Sequence, residues 1–97
     1  MHSYHPRIAK AERYTLWQKC ENTALALLEA LISTSHQTGS PRIDTLHVLS
    51  NKLDLLKVLI RLAHDTHTID QPQYLELQTI LQEIGKMVGG WIKFVPH

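Results

Sequence analysis

The side chains with the most suggestive spacing for chemistry in this chain are two histidines. His64 and His67 are three residues apart, and Asp65 lies between them, so a helix would present both imidazoles on one face. A zinc site needs a third ligand and usually a fourth, which the sequence does not specify. We favour the interpretation that these are polar residues at a fraying helix end, and we predict no metal site and no cofactor.

Cys20 is the only cysteine and therefore the only thiol nucleophile to consider. It shares one predicted helix face with Trp17 and Ala24, where a thiol packs as a small apolar group. No sharp strand-to-helix turn is present to expose a serine nucleophile, and no carboxylate pair has an evident pocket. We predict that the protein is not an enzyme. A single cysteine also excludes an internal disulfide and is typical of a reducing compartment.

Basic residues give a more useful signal, although the formal net charge of the 97 residues is only +1. Arg13 and Lys19 lie near the start of the first predicted helix, whereas Lys57 and Arg61 lie four apart towards the end of the second. In an antiparallel arrangement these two ends meet, which would gather a positive cluster able to bind phosphate or an acidic protein. The alternative is that these residues serve solubility and complement the helix dipoles.

A lesser basic strip is predicted towards the opposite end of the molecule. Lys86 and Lys93 are seven apart on the third predicted helix, and Arg42 lies near the start of the second. Residues seven apart on a helix share a face, so the two lysines would point the same way.

Three long helices must position these residues. They are predicted over about 15–36, 41–66 and 71–95, after an N-terminal extension over 1–14. Thr15 and Gln18 match a capping box, and Ser40 with Pro41 is a good cap and first-turn pair. The linkers are a few residues long, so consecutive helices must pack antiparallel. The fold class is therefore all-α, an antiparallel up-down helical bundle, and residues 1–97 form a single domain.

Apolar residues cover more of these helices than three of them can hide. The second helix has a regular seam, formed by Leu46, Leu49, Leu53, Leu56, Ile60 and Ala63. Val48, Leu55, Val58, Leu59 and Leu62 lie outside that seam. The first helix has Trp17, Cys20, Ala24, Leu27 and Leu31 on one face, with Leu25, Leu28 and Ile32 beside it. We expect the excess to be covered by other chains or by a helix absent from this sequence.

The third helix combines an apolar stripe with three glycines. The stripe is Leu77, Leu81, Ile84, Val88, Trp91 and Val95. Gly85, Gly89 and Gly90 each cost roughly 1 kcal/mol against alanine in a helix interior. We predict that close backbone approach by a neighbouring helix offsets this cost, with Trp91 packing beside the glycines. No apolar run approaches membrane-spanning length and no secretory signal is evident, so we predict a cytoplasmic protein.

Three segments in order resemble a known family. RYTLWQKCENTALALLEALI, KLDLLKVLIRLA and EIGKMVGGWIKFV, together covering roughly residues 13–95, are similar to four-helix-bundle proteins that include the accessory variability determinant (Avd) of diversity-generating retroelements. The proteins encoded in intervening sequences of bacterial 23S rRNA genes share that fold. Only MHSYHPRIAKAE precedes the first segment, so the usual first helix of this four-helix family is expected to be short or absent.

The resemblance implies a non-catalytic accessory protein. Such a protein forms a homo-oligomer, by resemblance a pentamer, and binds a reverse transcriptase and RNA or an RNA/DNA hybrid during mutagenic retrohoming. The positions matching the family's basic residues are Arg13, Lys19, Lys57, Arg61, Lys86 and Lys93. The alternative is a helical homo-oligomerisation module without a nucleic-acid role. Neither hypothesis involves a membrane.

Overall fold

In the computed structural model, which describes residues 9–93, the protein consists of three long helices. They are α1 (Lys10–His36), α2 (Gly39–Asp65) and α3 (Gln71–Lys93). No strand occurs among the described residues, and the predicted all-α helical bundle is confirmed. None of the three helices is long and apolar enough to cross a bilayer. Residues 1–8 and 94–97 lie outside the described range, and so does Val95 of the predicted α3 stripe.

The first helix begins earlier than the capping-box pattern predicts. Ala9 is extended and accepts a hydrogen bond from the Arg13 amide at 2.9 Å, while Thr15 lies inside the helix. The Thr15 hydroxyl donates to the Ala11 carbonyl at 3.0 Å instead of capping an end. The reason is that residues 10–14 contain neither proline nor glycine, so nothing stops the helix from extending back to Lys10.

The linkers that join the helices fix their antiparallel order. Between α1 and α2 only two residues are non-helical, and α2 begins at Gly39 with Thr38 at the N-cap, so Ser40 is not the cap. Gly39 has a φ of +69°, a value that glycine adopts without steric cost. Before α3, the predicted start after Asp70 is confirmed by a reciprocal capping box. The Gln73 amide donates to Asp70 Oδ1 at 2.8 Å, and the Asp70 amide donates to Gln73 Oε1 at 2.9 Å.

The core is organised around α2. All six predicted seam residues of α2 are buried, and Leu81 and Val88 of α3 pack against them. On α1 the buried set is Cys20, Thr23, Leu27, Ala30 and Thr34. Ala24, predicted to lie in the core, is exposed. Thr23 and Thr34 can be buried because their hydroxyls form hydrogen bonds within the helix. Each donates to the carbonyl four residues earlier at 2.7 Å.

The three-helix bundle is open between α1 and α3. Both α1 and α3 pack on α2, but no Cα atom of α1 comes within 8 Å of a Cα atom of α3. The predicted apolar excess is confirmed, because many large apolar side chains are exposed. These include Leu25, Leu28, Ile32, Val48, Leu55, Val58, Leu62, Ile80 and Met87. The arrangement therefore leaves two openings beside α3, one on each side of its contact with α2.

Candidate nucleic-acid interface

A cleft of about 350 Å³, lined by both polar and apolar side chains, separates α2 from α3 near the end of α2. Its α2 wall carries Lys57 and Arg61, which are one helical turn apart. Its α3 wall carries Tyr74, Gln78 and Gln82, which are also spaced by one turn. Two parallel rows of side chains, one basic and one of hydrogen-bonding groups, therefore face each other. We call this site the α2–α3 cleft.

The α2 sequence places its basic row by simple helical geometry. Lys57 follows the buried Leu56, and Arg61 follows the buried Ile60. A step of one residue rotates the side chain by 100°, so both cations leave the core and emerge at the same edge of α2. Lys57 also lies close to α3, because a Cβ on Gly85 would be 3.9 Å from Lys57 Nζ.

A stacked pair of rings fixes the α3 wall of the cleft. The His64 and Tyr74 rings are 4.2 Å apart between centroids and 16° from parallel. His64 Nε2 lies 2.6 Å from Gln71 Oε1, and Gln78 donates to the Tyr74 hydroxyl at 2.7 Å. The favoured interpretation of His64 as a polar residue at a fraying end is therefore wrong, since it connects α2 to α3. The sequence signal that could have revealed this is the short linker that brings the start of α3 back to the end of α2.

The pairing of His64 with His67 on one helix face is not observed. The helix ends at Asp65, and His67 has a φ of 60°, which is the left-handed position of a Schellman-type helix end. His64 Nδ1 lies 3.6 Å from Asp65 Oδ1. Within residues 9–93, no group of three or more histidine, cysteine or acidic side chains is close enough to hold a metal ion.

The positive charges in the α2–α3 cleft are not neutralised by neighbouring carboxylates. Within the described residues, neither Lys57 nor Arg61 forms a salt bridge or a side-chain hydrogen bond. Both cations are exposed and remain available to an external anion. Because Lys57 and Arg61 are about 6 Å apart along the axis of α2, a polyanion whose phosphates have a similar spacing could contact both charges at once.

The other two members of the predicted end cluster do not reach this cleft. The residues that line it come from α2 and α3, whereas Arg13 and Lys19 belong to α1. Arg13 is half-buried, and Lys19 is exposed. Trp17 and Cys20 of α1 line one groove with Leu56 and Ile60 of α2, so the start of α1 lies beside the end of α2. The antiparallel arrangement does not bring Arg13 and Lys19 into the α2–α3 cleft, because α1 contributes no residue to the lining of that cleft. A joint binding surface of the four cations stays a prediction.

The predicted strip of Arg42, Lys86 and Lys93 is also divided. Lys86 and Lys93 are exposed on α3, but Arg42 binds internally. Its guanidinium donates to the carbonyls of Thr34 and Gln37 at the end of α1 and lies 5.3 Å from the Trp91 ring centroid. Arg42 therefore ties all three helices together, and its charge is already used for packing.

Within the described residues, no backbone of another helix lies close to the glycines of α3, so close approach by a helix of another chain stays a prediction. A Cβ on Gly85 would lie 3.6 Å from Leu53 Cδ2, an ordinary contact with a side chain. Gly89 and Gly90 have no atom within 4 Å of an added Cβ. Gly85 therefore faces α2, whereas Gly89 and Gly90 face open space. Trp91 does pack against the core, as predicted.

The predicted place of Cys20 in the core is confirmed. Its side chain is buried, and burial is the main reason why the pKa of the thiol is raised. A raised pKa keeps the thiol protonated near neutral pH, which makes it a poor nucleophile. The buried thiol of Cys20 therefore packs in the core and is poorly suited to act as a nucleophile.

Comparison with known proteins gives one match. A family model described as bAvd-like matches residues 1–95, nearly the whole chain. No curated protein matches, and no solved structure matches.

Proposed function

The chain belongs to the bAvd-like family, and on that premise we propose that it is a non-catalytic accessory protein of a diversity-generating retroelement. In this role it binds the element's reverse transcriptase and its RNA or cDNA in the cytoplasm during mutagenic retrohoming. Family membership supports the retroelement context. The nucleic-acid part of the proposal depends on one observation, the unpaired row of Lys57 and Arg61 in the α2–α3 cleft.

The composition of the cleft suits a nucleic-acid backbone with exposed bases. Two cations one turn apart would contact phosphates, and glutamine side chains opposite them would donate to phosphate or sugar oxygens. The Tyr74 ring adds an aromatic surface held in place by His64. We propose that Arg13, Lys19, Lys86 and Lys93 extend this surface around the molecule and contribute through long-range attraction, which falls with salt.

A charge-reversal experiment tests the proposal. The variant K57E/R61E is compared with K10E/K52E, which makes the same change in net charge at two positions outside the cleft. We expect K57E/R61E to lose binding to a fluorescein-labelled single-stranded RNA, and to weaken co-purification with the reverse transcriptase. The control variant should bind with a smaller loss. The salt dependence should also become shallower, by a slope of about 1.4 if both phosphate contacts are lost.

Two results would contradict the nucleic-acid role. Equal loss in both variants would show that only net charge matters, and RNA binding that does not respond to salt would leave no place for phosphate contacts. A folded protein that self-associates but binds neither RNA nor polymerase would favour the alternative, a homo-oligomerisation module.

We also propose that the protein works as a homopentamer. The outer face of α2 supports self-association, because Val48, Leu55 and Leu62 are seven residues apart and all are exposed. Val58, at 65% exposure, lies beside the same stripe. Replacing Leu55 and Leu62 with lysine should dissociate the oligomer in light scattering, whereas Met87→Lys, which changes an exposed apolar residue of α3, should not.

A further inference from the structure

The second opening beside α3 is an apolar groove that has no part in the proposed function above. It lies between α1 and α3, and Leu56 and Ile60 of α2 form its floor. The α1 wall includes Trp17, Ala24 and Leu28. The α3 wall is formed by Leu77, Ile80, Leu81 and Ile84. Almost all of the lining surface is apolar, in contrast to the α2–α3 cleft.

The length of this groove suits an α-helix of about four turns. Its α1 wall extends from Trp17 to Leu31, which is roughly 21 Å along the helix axis. The walls belong to two helices whose Cα atoms all stay more than 8 Å apart, and both helices pack on α2. A helix laid in the groove would contact α1 and α3 at once and would bury side chains such as Leu28 and Ile80, which are 52% and 47% exposed.

Acidic side chains lie along both rims. Glu21 of α1 lines the groove itself. On α3, Glu76 lies four residues before the groove residue Ile80, and Glu83 lies three residues after it. Both glutamates therefore lie in the same row of α3 as Ile80. All three glutamates are exposed, and none of them forms a salt bridge among the described residues. Glutamates therefore outnumber cations along the long sides of the groove, where Lys86 follows Glu83 by one turn.

One basic residue lies at the end of the groove. Arg13 is one turn before Trp17 and half-buried. Because α1 and α3 are both antiparallel to α2, a helix that continues the up-down order would place its C-terminus near Arg13. The negative end of its dipole would then meet that cation.

We propose that this groove binds an amphipathic helix of a partner protein, whose apolar stripe is flanked by lysine or arginine. A second copy of this chain fits less well. Its outer α1 stripe, Leu25 and Ile32, is flanked by the acidic Glu21 and Glu29, which would repel the rims. Its outer α2 stripe has only Lys52 as a basic neighbour of Leu55 and has Asp65 beside Leu62.

Synthetic peptides test this proposal with the full chain. The probe is an 18-residue labelled helix with a leucine stripe and lysines on both flanks, compared with the same peptide carrying glutamates in place of the lysines. Fluorescence anisotropy should show tighter binding of the lysine peptide. Ala24→Trp, which places a bulky ring on the α1 wall of the groove, should weaken binding about tenfold, whereas Asn22→Trp, at an exposed position of α1 outside the groove, should not.

A charge exchange identifies the rims as the source of selectivity. The variant E76K/E83K should bind the lysine peptide about fivefold more weakly at low salt and should bind the glutamate peptide better. Circular dichroism and thermal unfolding of each variant show that the fold is retained. Equal affinity for the two peptides, or full binding by Ala24→Trp, would overturn the proposal. Self-association that Ala24→Trp abolishes, without peptide binding, would assign the groove to a second copy and also overturn it.

Discussion

The two openings beside α3 differ in chemistry although they share two side chains. Ile60 and Leu81 line both the α2–α3 cleft and the α1–α3 groove. On one side of these residues α3 presents Tyr74, Gln78 and Gln82, and on the other it presents Leu77, Ile80 and Ile84. One helix can therefore form a polar wall and an apolar wall, because residues spaced by three and four repeat on each face. This difference in lining is the reason why we propose a different kind of partner for each opening.

Truncating Ile60, which lines both openings, should have the largest effect. Ile60→Ala deletes a buried side chain that separates the two openings, and we expect a loss of about 2–5 kcal/mol in the free energy of unfolding. Urea denaturation measures this loss. Ile32→Ala is the matched control, because it removes the same atoms from an exposed side chain, and its effect should stay within about 0.5 kcal/mol. Equal effects of the two substitutions would contradict the assignment of Ile60 to the core.

Substitution of Arg42 tests whether the position of α3 depends on packing near its C-terminal end, where Arg42 contacts Trp91. Arg42→Ala removes hydrogen bonds to two α1 carbonyls and the contact with Trp91, so we expect a loss of about 1–3 kcal/mol. Tryptophan fluorescence during urea denaturation would report it. Arg42→Lys keeps the charge but not the planar fork, and should recover only part of the loss. Full recovery by lysine would show that charge alone is sufficient.

Tyr74 separates the functions of the two openings. Tyr74→Leu removes the ring that stacks on His64, and we expect RNA affinity to fall by about 1 kcal/mol, roughly fivefold. Binding of the lysine peptide to the groove should not change, because Tyr74 lies only in the cleft lining. Tyr74→Phe keeps the ring and serves as the control. Parallel loss of both activities would mean that the two surfaces are coupled through α3.

Gly89 should give the smallest effect, and in the opposite direction. An added Cβ meets no atom within 4 Å, so Gly89→Ala should stabilise α3 by up to about 1 kcal/mol through helix propensity. Differential scanning calorimetry at equal protein concentration would detect the rise in Tm. Neither RNA nor peptide binding should change, since Gly89 lines neither opening. Reduced stability would reveal that another chain packs closely on this face.

The sequence predicted some parts of the site and not others. Lys57 and Arg61 were predicted to act together because four residues on one helix fix their separation. Tyr74 and Gln78 were missed, since a tyrosine beside glutamines is unremarkable until α3 is placed against α2. The convergence of Arg13 with Lys57 was predicted from topology alone. Topology gives the end of the molecule at which a residue lies but not its rotation about the bundle axis.

Local periodicity and chain connectivity were sufficient for the architecture. The seam of α2, the start of α3 after Asp70 and the burial of Cys20 follow from spacings and caps within one helix. Short linkers then require antiparallel neighbours. The structure alone decided that α1 and α3 stay apart, that Arg42 packs on Trp91, and that Gly89 faces open space. These outcomes depend on how each helix rotates to bury its face against α2, which is a property of the assembled core and not of any single segment.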